Sequence, residues 1–121
     1  MSIEATIREM GYEQATVEDI DRMIRRVDLQ NEWLKLERRR VFYLCAPGYY
    51  DLGQMDRLDK EQMAIEILLY RDRPNPLEHA AMLNALSHKA YKEMGCVPDD
   101  DMMVHSIKDA MDRLAKAVEN A

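Results

Sequence analysis

Apolar side chains recur with a helical period along most of this chain, and strand-type alternation is almost absent. The clearest stretch opens at Val17. Ile20, Val27, Leu34 and Val41 recur every seven residues with Ile24, Trp33 and Leu44 beside them, and neither Gly nor Pro interrupts residues 17–45. Such a run predicts one continuous helix of roughly 40 Å, at about 1.5 Å per residue. Thr16 is placed to cap it, with Asp19 three residues on as the capping-box partner. Upstream, Ser2 suits the cap of a short helix carrying Ile3, Ile7 and Met10, which Gly11 would end. Downstream, Pro47, Gly48 and Gly53 in CAPGYYDLGQ act as breakers. Asp56 or Asp59 then caps a third helix over KEQMAIEILLYR, which Pro74 terminates. Asn75, Pro76 and Glu78 form a strong start signal for a fourth helix that stops at Gly95. Asp99, Asp100 and Asp101 suit the start of a last helix with the stripe Met103, Ile107, Met111, Leu114 and Val118. The expectation is a single all-α domain over residues 1–121: a compact bundle of about five helices, one of them long (about 17–45), with a C-terminal helical hairpin packed along it.

Residues 10–20, MGYEQATVEDI, resemble the opening of the DNA-binding helix-turn-helix of TetR-type regulators, in which one helix ends at Gly-Tyr and the next begins with Thr-Val-x-Asp-Ile. That resemblance implies a Gly-containing turn about two helical turns later, followed by a separate recognition helix for the major groove. This chain has no such turn, because DRMIRRVDLQNEWLKLERRR runs on without a breaker. The likeness ends where the base-reading part should begin, and a plain helix stop followed by a helix start accounts for the segment.

Composition narrows the class. With 47% hydrophobic and 33% charged residues over 121 positions, the chain has the profile of a globular protein that buries roughly two thirds of its unfolded surface around one core. No apolar run approaches the roughly 20 residues of a bilayer span, and the N-terminal segment carries acids and no signal-peptide core, so a cytoplasmic location without membrane contact is expected. Cys45 and Cys96 stand far apart with no CxxC or Cys/His spacing, so free thiols are expected instead of a disulfide or a zinc site. A net charge of -6 argues against nonspecific adhesion to nucleic acid or anionic lipid. The charge is uneven: residues 17–46 hold seven basic side chains against six acids, and the remainder holds ten against seventeen.

The basic segment carries the first candidate site. Arg38, Arg39 and Arg40 are followed closely by Phe42, Tyr43, Tyr49 and Tyr50, and guanidinium forks beside stackable rings suit a phosphate, a nucleotide, a single strand or an acidic partner. Glu37 is spaced to pair with Arg40, Glu18 with Arg22, and Asp21 with Arg25, which leaves Arg38 and Arg39 without an obvious local partner. Consecutive helical residues point about 100° apart, so the three arginines cannot share one face, and cations near a helix C-terminus also answer its dipole. The seven-residue recurrence is a second feature. With Met23, Gln30, Glu37 and Leu44 at the other seam positions it is polar in the middle, which favours packing inside the monomer over a sustained coiled coil. A further stripe of Leu29, Trp33 and Leu36 gives the helix more apolar surface than one neighbour covers, so a homodimer along the long helix or a partner over Trp33 is expected. The ten methionines are read as core filler, with an adaptable protein-binding surface as the alternative, since Met102 and Met103 cannot both face one core. Asp101, His105 and Asp109 fall on one stripe, but they span about 12 Å of helix axis, too far to grip one ion. No metal and no cofactor are expected.

There is no P-loop, dinucleotide-binding glycine pattern, HExxH or GxSxG motif, and Glu61 and Glu66 point to different helix faces. No catalytic residues and no enzymatic activity are expected. The chain reads as a non-catalytic helical interaction protein, by analogy of size and composition a small regulator or inhibitor of the phage or mobile-element type. It would bind a protein partner through the long helix and the loop after it, with Trp33, Arg38, Arg39, Arg40, Tyr43, Tyr49 and Tyr50 as the candidate surface. The alternatives are a phosphate, nucleotide or nucleic-acid binder using the same Arg/Tyr segment, and an acidic mimic of nucleic acid built on the C-terminal helices.

Overall fold

The hydroxyl of Thr16 accepts the Asp19 backbone N–H at 3.2 Å while the Asp19 carboxylate accepts the Thr16 N–H at 3.1 Å. This reciprocal cap opens helix α1, Val17–Cys45, which runs without interruption, so the turn that a helix-turn-helix needs does not occur. The computed structural model describes Ala5, residues 16–96 and residues 106–120. After α1 come a 3-10 turn at Pro47–Tyr49 and the helices α2 (Leu52–Asp72), α3 (Pro76–Glu93) and α4 (Ile107–Asn120). The described residues are all-α, with four α-helices. Apart from Ala5, the helix expected over Ser2 to Met10 lies outside them, as do the aspartates 99–101, Met103 and His105. None of the described helices is long and apolar enough to cross a membrane.

Both expected boundaries of α3 hold, while the start of α2 moves. Asn75 caps α3 through its side-chain oxygen, which accepts the Glu78 N–H at 3.1 Å. At the other end Gly95 takes φ +66°, and the Gly95 and Cys96 N–H groups return to the carbonyls of Lys92 and Tyr91, as a left-handed glycine allows. Helix α2 starts earlier than expected. Asp51, not Asp56 or Asp59, accepts the Gln54 N–H at 3.2 Å, and Gly53 sits inside the first turn instead of breaking the chain. A glycine keeps its backbone N–H and adopts helical dihedrals freely, so it weakens a helix only through conformational entropy and need not end one.

Helix α1 packs against both α2 and α3, and α4 packs mainly against α3 and α2. The C-terminal hairpin therefore does not lie whole along the long helix as expected; α3 does, and α4 reaches α1 chiefly at Trp33, which clusters with Ala80, Leu83 and Ala110. A second cluster joins Leu34 and Val41 of α1 to Ala90 and Tyr91 of α3. Alanines at these contacts let the helix backbones approach closely. With two neighbours, α1 has most of both apolar stripes covered by its own chain: Ile20, Leu34, Val41, Trp33 and Leu36 are buried, Leu29 is half-buried, and Val27 of the seven-residue series stays exposed. The stripe of α4 also turns out differently, since Ala110, Leu114 and Ala117 face the core while Ile107, Met111 and Val118 face solvent. No described methionine is fully buried, although Met82 packs against the Trp33 cluster. Among the described residues Met55, Met63 and Met82 are half-buried and Met23, Met94 and Met111 exposed.

Polar and charged side chains lie within the core. Glu37 is fully buried and accepts from Arg40 Nε at 2.7 Å, Gln62 Nε2 at 3.2 Å and Ser87 Oγ at 2.6 Å, which ties three helices to one carboxylate. One layer away, Glu66 accepts a two-pronged fork from Arg113 at 3.1 and 2.8 Å and the indole N–H of Trp33 at 3.2 Å. Asp59 completes the set by pairing with the same guanidinium. Desolvation costs Arg113 charge stability, but these two carboxylates more than offset it and raise its pKa. Gln62 Oε1 has no partner among the described residues, but the Glu37 and Glu66 carboxylates are both matched, and such networks specify one register between helices because a shifted pairing leaves buried charges unmatched.

Among the described residues, His79 is buried with no hydrogen-bond partner on either ring nitrogen. Its ring lies edge-on to Tyr70 at 5.6 Å. Burial, with the nearby Arg26 charge adding to it, lowers its pKa to about 4, so the imidazole is neutral in the fold. The unfolded chain binds this proton near pH 6.5, and the folded chain only near 4. Stability is therefore expected to fall as pH drops between those values, by about 2 kcal/mol from pH 7 to pH 5. Urea unfolding across that range checks it. In a His79→Leu variant this part of the pH dependence should vanish; an unchanged slope would place it elsewhere.

Candidate interaction surface

The C-terminal end of α1, the turn after it and the first turn of α2 meet the C-terminal end of α3 at one end of the bundle. Pro47 and the 3-10 turn reverse the chain there, the Tyr49 N–H returning to the Ala46 carbonyl at 2.9 Å. A disulfide between Cys45 and Cys96, with Cα atoms 6.5 Å apart, closes this end covalently. The expectation of free thiols is thereby corrected. The physical reason is topological: α3 runs back along α1 and its glycine-capped terminus delivers Cys96 to the last residue of α1, a meeting that sequence spacing does not reveal.

The sequence-derived candidates separate by depth. Trp33 is wholly buried and bonded to Glu66, and Arg40 is buried against Glu37 as its i,i+3 spacing suggested. Neither lies on a surface, so both leave the candidate set. A periodicity marks which positions share a face, and a long helix with neighbours on two sides buries two faces. Arg38 points outward, but its Nε donates to Glu93 Oε2 at 2.6 Å. That hydrogen bond, with the Arg38 charge and the more distant Lys89, holds the Glu93 carboxyl below the ordinary range. Arg39 is exposed and has no ion pair or hydrogen bond among the described residues.

Of the remaining candidates, Arg38, Arg39, Tyr43 and Tyr49 come together around Phe42. The Phe42 ring is 5.6 Å from the rings of both Tyr43 and Tyr49, edge-on to the first and tilted on the second. Tyr49 is 68% exposed, Tyr50 52% and Leu52 72%. Arg39 and Tyr43 form a shared wall between two hollows. One, of about 300 Å³, is completed by Arg38, Phe42 and Met94, and the other, of about 200 Å³, by residues of α2 including Gln54, Arg57 and Glu61. Arg57 is itself paired with Glu61 at 3.3 Å. Sequence reasoning missed Leu52 and Met94. Leu52 was hidden by placing the start of α2 too late, and Met94 by reading methionine as core.

As chemistry, this surface offers aromatic and aliphatic contact area around one unpaired guanidinium. Tyr, Phe, Met and Arg are the side chains enriched where proteins meet proteins. The two buried carboxylates, by contrast, line neither hollow and have their oxygens occupied by internal donors. No protein-family model, curated protein or solved structure matches the chain.

Proposed function

We propose that this chain is a non-catalytic helical interaction protein, a small regulator or inhibitor, that engages a protein partner through the end of α1 and the turn that follows it. The observation that carries this reading is the exposed Phe42–Tyr49 ring pair, followed in the chain by the exposed Tyr50 and Leu52, at a disulfide-closed end of the bundle where Phe42 and Met94 share a hollow with an unpaired Arg39. Large apolar side chains gathered in solvent, and not scattered singly, mark binding surfaces. Rigid rings lose little rotamer freedom when covered, and the charge favours a partner with a carboxylate opposite Arg39. A phosphate or nucleotide at this end has less support. Of its three arginines, Arg40 is in the core and Arg38 is held by Glu93, which leaves one free fork.

The test is affinity capture from host lysate with the wild type and with a Tyr49→Ala/Tyr50→Ala variant, alongside helicity by circular dichroism. Retention by the wild type of a protein that the equally folded variant loses, by 30-fold or more in affinity, is expected, since buried aromatic anchors contribute about 2 kcal/mol or more each. Capture of the same proteins by both would remove the reading. Self-association through the same face is distinguished by sedimentation at tens of micromolar, where a wild-type dimer and a monomeric variant would make a second copy of this chain the partner.

A further inference from the structure

The opposite end of α1 holds a feature outside that reading. Between the first turns of α1 and the last turn of α2 lies a cleft of about 280 Å³ lined by Arg22, Arg25, Arg26 and Arg71, with Asp72 as its one acid and Leu29 and Leu68 as its apolar floor. Four cations against one anion give this cleft a charge of +3 on a chain whose net charge is -6.

Two of the arginines have structural duties. Arg22 Nε and Arg26 NH1 reach separate oxygens of the Asp72 carboxylate at 3.2 and 3.3 Å. The same two side chains donate to the backbone carbonyls of Asp72 and Leu69 at 3.2 and 3.1 Å, satisfying the C-terminal end of α2. Their spacing to Glu18 predicted a local pair for Arg22, but the long-range carboxylate takes it. Asp72 is thereby used up. Arg25 and Arg71 are exposed and have no ion pair or hydrogen bond among the described residues; the Asp21–Arg25 pair expected from i,i+4 spacing does not form. Two free, planar forks on facing helices, backed by two immobilised ones, are the geometry for bidentate capture of a tetrahedral dianion. The leucine floor adds a place for the non-phosphate part of the ligand. A confined cleft on an acidic molecule suits a small anion, because the surrounding field repels an extended polyanion.

We infer that this cleft binds a small organic phosphate, with the phosphate held by Arg25 and Arg71 beside Arg22 and its apolar group seated on Leu29 and Leu68. Isothermal titration of the full chain at low ionic strength with phenyl phosphate, inorganic phosphate and phenol tests it. Phenyl phosphate is expected to bind tightest, inorganic phosphate more weakly, and phenol not measurably. An Arg25→Gln/Arg71→Gln variant should lose about 100-fold in affinity for phenyl phosphate, near tenfold for each fork removed, and melt at the wild-type temperature because both side chains are exposed. The Arg25→Lys/Arg71→Lys pair should recover only part of the loss, since an ammonium does not bind two oxygens as a fork. Arg39→Gln, at the other end of the bundle, should bind as the wild type does, which separates this site from the proposed interaction surface. Absence of phenyl phosphate binding at millimolar concentration, equal affinity for phenyl phosphate and inorganic phosphate, or full binding by the double glutamine variant would each overturn the inference. So would tighter binding of a DNA oligonucleotide than of phenyl phosphate, with a steep salt dependence and loss in the same variant, which would make the cleft a nucleic-acid contact.

Discussion

Replacing Glu37 with Ala is expected to destabilise the fold by about 3 to 5 kcal/mol, the range for removing one partner of a buried ion pair. The arithmetic starts from what is left behind. Arg40 is 6% exposed and would keep a charge with no counter-ion, while the Gln62 amide and the Ser87 hydroxyl would lose the acceptor they share. Against a total stability of about 5 to 15 kcal/mol for a domain of this kind, the variant would be marginal. Urea unfolding monitored by the Trp33 fluorescence, which reports from the middle of the bundle, measures it. A companion variant distinguishes pairing from packing. Glu37→Met together with Arg40→Leu removes both charges and should recover a good part of the loss, because apolar substitutes of similar volume often match a buried pair. If Glu37→Ala alone cost under about 1 kcal/mol, the buried network would not be what holds α1, α2 and α3 in register.

Reduction of the Cys45–Cys96 disulfide is the second large effect. The bridge spans 51 residues of sequence, and the loop-closure entropy restored to the unfolded chain corresponds to about 4 kcal/mol at 25 °C on the chain-entropy account. Urea midpoints with and without reductant, and for Cys45→Ser/Cys96→Ser, should agree on a loss of that order. The loss has a local side as well. Met94 shares the larger hollow with Phe42 and Arg38, and the bridge lies two residues beyond it, so opening the bridge should loosen this end before the rest. Hydrogen exchange of amides at residues 91–96 is expected to speed up on reduction while those near Trp33 keep their protection. Uniform acceleration would show instead that the bridge stabilises the bundle only globally. Since disulfides persist in oxidising surroundings and open in a reducing cytoplasm, the cytoplasmic location expected from the sequence would place the protein in its weaker state.

The sequence by itself determined the helices, because what starts and stops a helix acts within about four residues. The capping box at Thr16 and Asp19, the Asn75–Pro76–Glu78 start and the left-handed Gly95 are all local hydrogen-bond chemistry, and an uninterrupted run from Val17 to Cys45 left no room for the turn of a DNA-reading motif. The start of α2 is the exception, since the sequence reading points to Asp56 or Asp59 as its cap and passes over Asp51, the actual one. The surface residues Tyr49 and Tyr50 were legible because they follow a Pro-Gly break. Trp33 and Arg40 were not, because periodicity names a face without naming what covers it, and α1 proved to have neighbours on both sides. Everything that depended on residues far apart in the chain was decided by tertiary structure alone: the three helices converging on Glu37, Cys96 brought to Cys45, and Arg71 brought across from Arg25 with Asp72 already taken by Arg22 and Arg26. The reason is common to all three. A side chain's nearest opposite charge or thiol along the chain is known from spacing, whereas its nearest in space is known only once the helices have chosen their partners.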